Sequence, residues 1–155
     1  MTVTPNRPPP ADVAAGSKLM VLTQKESWAL VKNEALGRFA FVMEGWPLVM
    51  PVNYLVDGAD VVIRSDPGRK LTAARQQVQA ALQVDSIDRL HRSGWSVLVF
   101  GIATAVDDPD EVARLDRLGL RSWAASERAS WIRLLPVQIT GRRLPRAWSY
   151  PDPIR

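Results

Sequence analysis

Two hydrophobic periodicities divide the chain into helices and strands. Apolar residues recur at helical spacing after Thr23, with Trp28 and Val31 three positions apart. Thr23 and Glu26 also form the Thr-x-x-Glu pattern of a capping box, in which each side chain hydrogen-bonds the other residue's backbone N–H. We therefore predict a helix that begins after Thr23 and ends near Gly37, because glycine commonly terminates helices.

Short apolar runs separated by turn residues follow this helix and predict strands. The runs span residues 38–43, 48–56, 61–65, 78–85, 96–106 and 131–140. Residues 44–47 and the hairpin signal Asp57-Gly58 join the first three runs, so these should form an antiparallel meander. Helices are predicted over residues 70–76 and 110–118. About six antiparallel strands with a few short helices predict a mainly β (α+β) fold, a small barrel that leaves no open edge.

The helix predicted over residues 110–118 is expected to have a structural role. Val112, Leu115 and Leu118 give it a narrow apolar stripe, and Arg114 and Arg117 are expected to point into solvent. We therefore place no functional residue on this helix.

The chain should fold as one domain, since 155 residues is about one domain's length. Residues 1–20 form a proline-rich tail, either solvated or draped over a partner subunit. Residues 21–145 form the domain, and residues 146–155 form a C-terminal tail. The N-terminus has no basic region followed by an apolar block, and the longest uncharged stretch, residues 93–106, is too short to span a bilayer. A cytoplasmic location without membrane contact is expected.

Composition excludes several kinds of chemistry. The chain has no cysteine and one histidine, His91, which excludes disulfides, thiolate zinc, a cysteine nucleophile and a multi-histidine metal site. We expect no bound metal. His91 lies in a polar loop, where it is either a solvated side chain or a catalytic group.

The net charge of +4 favours anionic ligands, with 16 arginines against 4 lysines. No basic stripe interleaved with aromatic residues runs along any segment, so nucleic acid is not the expected partner. The informative stretch is the turn from Arg64 to Lys70, which contains Ser65, Gly68 and Arg69 and leads into a helix. Such a turn gathers cations and backbone N–H donors around one point, as a phosphate monoester requires. The alternative is a solvated basic turn.

Several short motifs follow one another along the chain in a specific order and spacing. These are Gly37-Arg38-x-Ala40, Pro51-Val52-Asn53-Tyr54, Asp57-Gly58, Arg64-Ser65, Gly68-x-Lys70-Leu71, Gly94-Trp95-Ser96-Val97-Leu98-Val99-x-Gly101 and Thr140-Gly141-Arg142-Arg143. Through them the chain, over roughly residues 22–144, resembles the pyridoxamine 5′-phosphate oxidase-like flavoproteins, and within that family the small actinobacterial-type flavin/deazaflavin oxidoreductases. The resemblance implies an antiparallel split β-barrel that binds flavin mononucleotide (FMN) at a homodimer interface, with each site built from both chains.

The resemblance also assigns cofactor-binding residues. It implies that Arg64, Ser65 and Lys70 bind the flavin phosphate, with Arg69 assisting. The strand along the isoalloxazine ring corresponds to Pro51, Val52, Asn53 and Tyr54.

A second group of cofactor-binding residues is implied to reach the flavin from the partner subunit. Trp95 and Ser96 belong to it, and Arg142, near the C-terminal end of the resemblance, adds a basic contact. Each has a structural alternative: Trp95 as a core aromatic, Asn53 as a residue that satisfies a turn, and Arg142 as part of a solvated face.

The implied function is a flavin-dependent oxidoreductase that transfers hydride or electrons to or from a small organic substrate. The cofactor is FMN or, alternatively, the deazaflavin coenzyme, and the flavin ring carries the chemistry. A non-catalytic binder or carrier of flavin, deazaflavin or haem is the alternative. Residues 147–155 lack the basic and polar pattern with which oxidase members bind pyridoxamine phosphate, so we expect no true pyridoxamine phosphate oxidase activity.

Overall fold

The computed structural model describes residues 18–120 and 129–145. Predictions for the tails, apart from residues 18–20, lie outside these ranges. The described part contains three helices: α1 (Gln24–Lys32), α2 (Arg69–Arg75) and α3 (Pro109–Asp116). Its seven strands are β1 (Met20–Leu22), β2 (Leu36–Met43), β3 (Trp46–Asp57), β4 (Asp60–Ser65), β5 (Gln79–Asp88), β6 (Ser93–Val106) and β7 (Ser130–Leu144).

The strands form an antiparallel barrel that closes on itself. They follow the order β1-β7-β4-β3-β2-β5-β6, and a further pairing of β6 with β7 completes the ring. Along its other edge β7 pairs first with β4, at residues 130–134, and then with β1, at residues 141–143. The predicted split β-barrel with short peripheral helices is confirmed.

The first helix has the predicted start and an earlier end. The Thr23 Oγ1 accepts from the Glu26 N–H at 3.2 Å, and the Glu26 carboxylate accepts from the Thr23 N–H at 2.8 Å. The helix ends at Lys32, with Asn33 as its C-cap, instead of near Gly37, because the Tyr54 N–H donates to the Ala35 carbonyl and draws the chain into the sheet.

Gly37 is therefore a strand residue in close contact with β5. A Cβ at this position would lie 2.8 Å from Leu82 Cδ1 and 3.0 Å from the Gln83 carbonyl oxygen. Glycine is needed here for close packing against β5, and it does not end a helix.

The barrel interior contains one continuous apolar core. Inward residues alternate along every strand, with Phe39, Tyr54, Ile63, Leu82 and Val99 among the buried ones. Outward positions are polar or apolar and open to solvent. Four of the apolar ones lie on β2, β3 and β6 and are 36–62% exposed: Leu36, Val42, Val49 and Leu98.

Helix α3 covers a second, smaller core on the outer face of β4 and β7. Leu115 packs there with Val62 and Trp131, as the apolar stripe predicts. The expected contribution of Leu118 is wrong: the helix ends at Asp116, and Leu118 beyond it is 43% exposed.

Arg114 also departs from its prediction as a solvated charge. Its guanidinium binds both Asp57 and Glu111, and Arg133 binds these two carboxylates and Asp60. The network joins α3 to the β3–β4 hairpin and to β7. The hydrogen bonds from Arg114 hold the pKa of Asp57 below its ordinary value.

This lowered pKa predicts acid sensitivity of the α3 region. A carboxyl whose folded pKa is depressed adds stability above its unfolded pKa of about 3.9, and the contribution is lost as pH falls through the folded value. Asp57→Asn should therefore lower the free energy of unfolding by about 1–3 kcal/mol at pH 7 and by less at pH 3, which lies below the unfolded pKa. Urea unfolding at the two pH values measures this difference, and a cost independent of pH would contradict the prediction.

Candidate functional site

The turn between β4 and α2 presents two cations beside open space. Arg69 and Lys70 are the first two residues of α2, after Gly68 at its N-cap. Neither side chain forms an ion pair or a hydrogen bond within the part of the chain that the structure describes. A Cβ at Gly68 would meet no atom within 4 Å. The turn can therefore accept an anionic group.

Arg64 and Ser65 precede this turn and face opposite sides of β4, since successive strand residues alternate. The Ser65 side chain is buried, and its Oγ donates to the Asp66 carbonyl at 3.0 Å. Arg64 lies on the outer face, where its Nη1 donates to Asp116 Oδ1 at 2.8 Å and its guanidinium lies 5.3 Å from the Trp131 ring centre. The two side chains thus reach the end of β4 from different sides.

The strand segment from Pro51 to Tyr54 lies next to β4. Val52 and Tyr54 are buried in the core, whereas Pro51 is exposed on the outer face. The Tyr54 hydroxyl donates to the Val31 carbonyl at 2.6 Å, and burial raises its pKa well above the ordinary value. The Tyr54 side chain therefore anchors α1 to the core. Any contact of this residue with an outer ligand must come from its backbone.

Asn53 is also mostly buried. Its amide donates to the Ala35 carbonyl at 3.3 Å and so supports the connection between α1 and β2. This contact matches the structural alternative for Asn53. The side chain lies on the same sheet face as Pro51 and Arg64.

The second predicted group lies across the sheet at the start of β6. Ser96 pairs with Arg142 on β7 and with Asp85 on β5. Ser96, Trp95 and Arg142 line one cleft of about 610 Å³. Trp95 also packs against the barrel core, in agreement with its structural alternative. The Arg142 guanidinium forms no ion pair within residues 18–120 and 129–145.

The two groups do not meet within one chain. Through β7 the two groups are only two strand steps apart, but they lie at opposite ends of that strand. Ser65 pairs with Ser130 at its start, whereas Ser96 pairs with Arg142 near its end. The twelve residues from Ser130 to Arg142 extend over roughly 40 Å along β7. A phosphate held at the β4–α2 turn is therefore beyond the direct reach of Arg142 of the same protomer.

Sequence reasoning missed the polar residues between the two groups. Arg38 on β2 lies opposite Pro51, and its Nη1 donates to Gln83 Oε1 at 2.9 Å and to Asp85. The signal was present in β5, where Gln83 and Asp85 alternate with the buried Leu82 and Val84. Asp85, a charged residue at an outward position of this largely apolar strand, indicated polar contacts on the outer face.

His91 lies in the turn between β5 and β6. Its Nδ1 is 2.6 Å from Asp88 Oδ2, and its backbone N–H donates to the same carboxylate. Both contacts lie within the turn and stabilise it. A catalytic role for His91 stays a prediction without further support.

The sequence profile of the pyridoxamine 5′-phosphate oxidase family matches residues 23–143. The chain belongs to this family. The match begins at the capping residue of α1 and ends one residue before the end of β7, so it covers β2 to β7 and leaves out β1.

Individual relatives agree with this assignment. The chain is 32% identical over 139 residues to the Mycobacterium tuberculosis protein Rv0080, with 86% of this chain and 91% of that protein covered. A Mycobacterium smegmatis structure described as an FAD binding protein is 31% identical, with a TM-score of 0.61, 81% of this chain and 97% of that chain covered. A Corynebacterium glutamicum structure is 28% identical, with a TM-score of 0.72 and the same coverage.

Among the described residues, no helix has both the length and the hydropathy needed to cross a bilayer.

Proposed function

We propose that this protein binds FMN through the β4–α2 turn and β3, at sites shared between the two chains of a homodimer. The observation that carries the proposal is the pair Arg69 and Lys70, which are unpaired within the described residues and lie beside the open space at Gly68. A phosphate monoester needs such donors and charge. The Mycobacterium smegmatis relative described as an FAD binding protein supports a flavin in this family.

The residues fit a flavin on the outer face of β3 and β4. Lys70 and Arg69 bind the phosphate, and Arg64 approaches from the same outer face as Pro51. Pro51 is exposed on this face, so the flavin ring can approach the strand there. When bound, the flavin supplies hydride or electron transfer, while the protein positions it and limits its contact with water. We propose a cytoplasmic oxidoreductase acting on a small organic substrate.

Two observations support the shared-site dimer. Trp95, Ser96 and Arg142 lie at the opposite end of the β6–β7 ladder from the turn, so they complete a site only through a partner subunit. Outward apolar side chains on β2, β3 and β6 are exposed in the single chain, and burying them against a second copy would stabilise association.

A carrier function remains the second candidate. The cations of the proposed site, Arg64, Arg69 and Lys70, suit the binding of a flavin phosphate in a carrier as well as in an enzyme. A Mycobacterium smegmatis structure described as an FAD and heme binding protein has this fold, at 18% identity. The deazaflavin coenzyme would present its phosphate to the same turn.

The first experiment is a spectrum of the purified protein, followed by titration with FMN, FAD and the deazaflavin coenzyme. Bound flavin that is reduced by a nicotinamide donor and reoxidised by an acceptor supports the enzyme. Bound flavin that no donor reduces supports the carrier. Absence of binding to every flavin overturns the proposal.

Mixing two defective variants tests the shared site. Lys70→Ala damages one half of each site, and the double substitution Trp95→Ala/Ser96→Ala damages the other. After subunit exchange, about half of the dimers are mixed and each has one intact site, so about a quarter of all sites should regain FMN. Thermal melts verify that both variants fold, and Arg142→Ala replaces the double variant if it does not. Proven exchange without recovery, or a monomer by sedimentation, would contradict the shared site.

A further inference from the structure

The guanidinium of Arg64 is fixed by two residues that sequence reasoning did not connect with the site. Its Nη1 donates to Asp116 Oδ1 at 2.8 Å, and its central carbon lies over the Trp131 ring, 5.3 Å from the ring centre. Trp131 Nε1 donates to the same Asp116 oxygen, also at 2.8 Å. The three side chains thus form a closed set of contacts among β4, β7 and the end of α3.

Each member of this set has a distinct exposure. Trp131 is 1% exposed and therefore rigid, whereas the side chain of Asp116 is 47% exposed and that of Arg64 is 24% exposed. A buried indole thus orients a surface carboxylate, which in turn orients the arginine. Arginine loses rotamer freedom when it is held in this way.

Arg64 keeps further donors after these contacts. A guanidinium has five N–H groups, and within the described residues only Nη1 of Arg64 makes a hydrogen bond. Continuing the β3–β4 register beyond the pair Tyr54–Ile63 places Arg64 opposite Asn53, on the sheet face where Pro51 is exposed. Arg64 therefore lies on the same sheet face as the proposed flavin, with donors left over for a ligand there.

We propose that Asp116 and Trp131 are positioning residues that hold Arg64 ready for the flavin phosphate. This inference rests on the proposed function. Neither residue touches the phosphate. Asp116 limits Arg64 to one arrangement before the ligand arrives, so less conformational freedom is lost on binding.

The negative charge of Asp116 also has an opposing effect, because it repels a phosphate. The carboxylate is half exposed, and water screens this repulsion to about a threefold change in affinity at a separation near 7 Å. The ordering of a long, flexible side chain has the larger effect, so removing the carboxylate should weaken binding.

The test compares FMN with riboflavin, which has the same ring and no phosphate. In Asp116→Asn we expect the dissociation constant for FMN to rise three- to tenfold and that for riboflavin to change less than twofold. Asp110→Asn is the matched control, since it removes the same charge from the exposed first turn of the same helix. This control should leave both dissociation constants unchanged. Fluorescence titration measures all of them.

A double-mutant cycle separates positioning from a general structural effect. In an Arg64→Ala background, Asp116→Asn should change FMN affinity less than twofold, because the residue that it positions is absent. Trp131→Phe removes the indole donor but keeps a ring under Arg64, and should give a smaller loss for FMN alone.

The inference is overturned if Asp116→Asn leaves FMN affinity unchanged or increases it, if it weakens FMN and riboflavin equally, or if its effect persists without Arg64. Failure of the proposed function has a different signature, since the unmodified protein would then bind neither FMN nor riboflavin.

Discussion

Alanine at position 101 should destabilise the barrel by about 4 kcal/mol, a large fraction of the 5–15 kcal/mol typical of a domain. Gly101 lies at the irregularity in the β6–β7 ladder, where Phe100 pairs with Gln138 but Gly101 pairs with Pro136. A Cβ there would lie 2.2 Å from the Leu135 carbonyl oxygen and 2.8 Å from its carbonyl carbon. Both contacts are with backbone, so no side-chain rotation relieves them.

Urea unfolding of Gly101→Ala measures the effect. Gly119→Ala is the matched control, because a Cβ at this glycine meets no atom within 4 Å and the only cost is its positive φ of 74°. The control should lose about 1 kcal/mol. A loss below 1 kcal/mol for Gly101→Ala would show that β6 and β7 can move apart at this position.

Replacing Lys70 by alanine should weaken FMN binding roughly tenfold to a hundredfold without unfolding the protein. A charge-assisted contact with phosphate contributes about 1.5–3 kcal/mol, and the ammonium has no other partner within the described residues. Riboflavin affinity should stay within twofold, because the phosphate is the group that Lys70 is proposed to bind.

Arg75→Ala is the control for this variant. Arg75 lies at the other end of α2, and its exposed guanidinium is 3.8 Å from Asp107. The Arg75→Ala substitution also removes one positive charge from α2. It therefore measures how much FMN affinity depends on the overall charge of this helix. Equal losses for Lys70→Ala and Arg75→Ala would contradict a specific phosphate contact.

The strands were predictable because their alternation is local. β3 and β6 are found within a few residues of the predicted runs, and the hairpin at Asp57-Gly58 lies where the turn residues indicate. β1 was missed because three residues, Met20–Leu22, are too few to show a period. The strand β1 forms because residues 141–143 of β7 have an edge with which it can pair.

The site was predictable where its residues are contiguous. Gly68, Arg69 and Lys70 lie in one turn, so their joint position follows from the sequence. The contacts of Arg38 with Asp85 and of Arg64 with Asp116 join residues 47 and 52 positions apart. They depend on strand register and on the docking of α3, which no short pattern specifies.

The position of β7 in the barrel has a consequence for synthesis of the chain. β7 closes the ring by pairing with β6 and β4, and it binds β1, which lies roughly 120 residues earlier. Until residues 130–144 leave the ribosome, β4 and β6 both present unpaired edges. Contacts between such distant residues form slowly, and open strand edges bind other chains. Nascent chains of this protein should therefore depend on chaperones until the last strand emerges, and translation stalled before residue 130 should give aggregates.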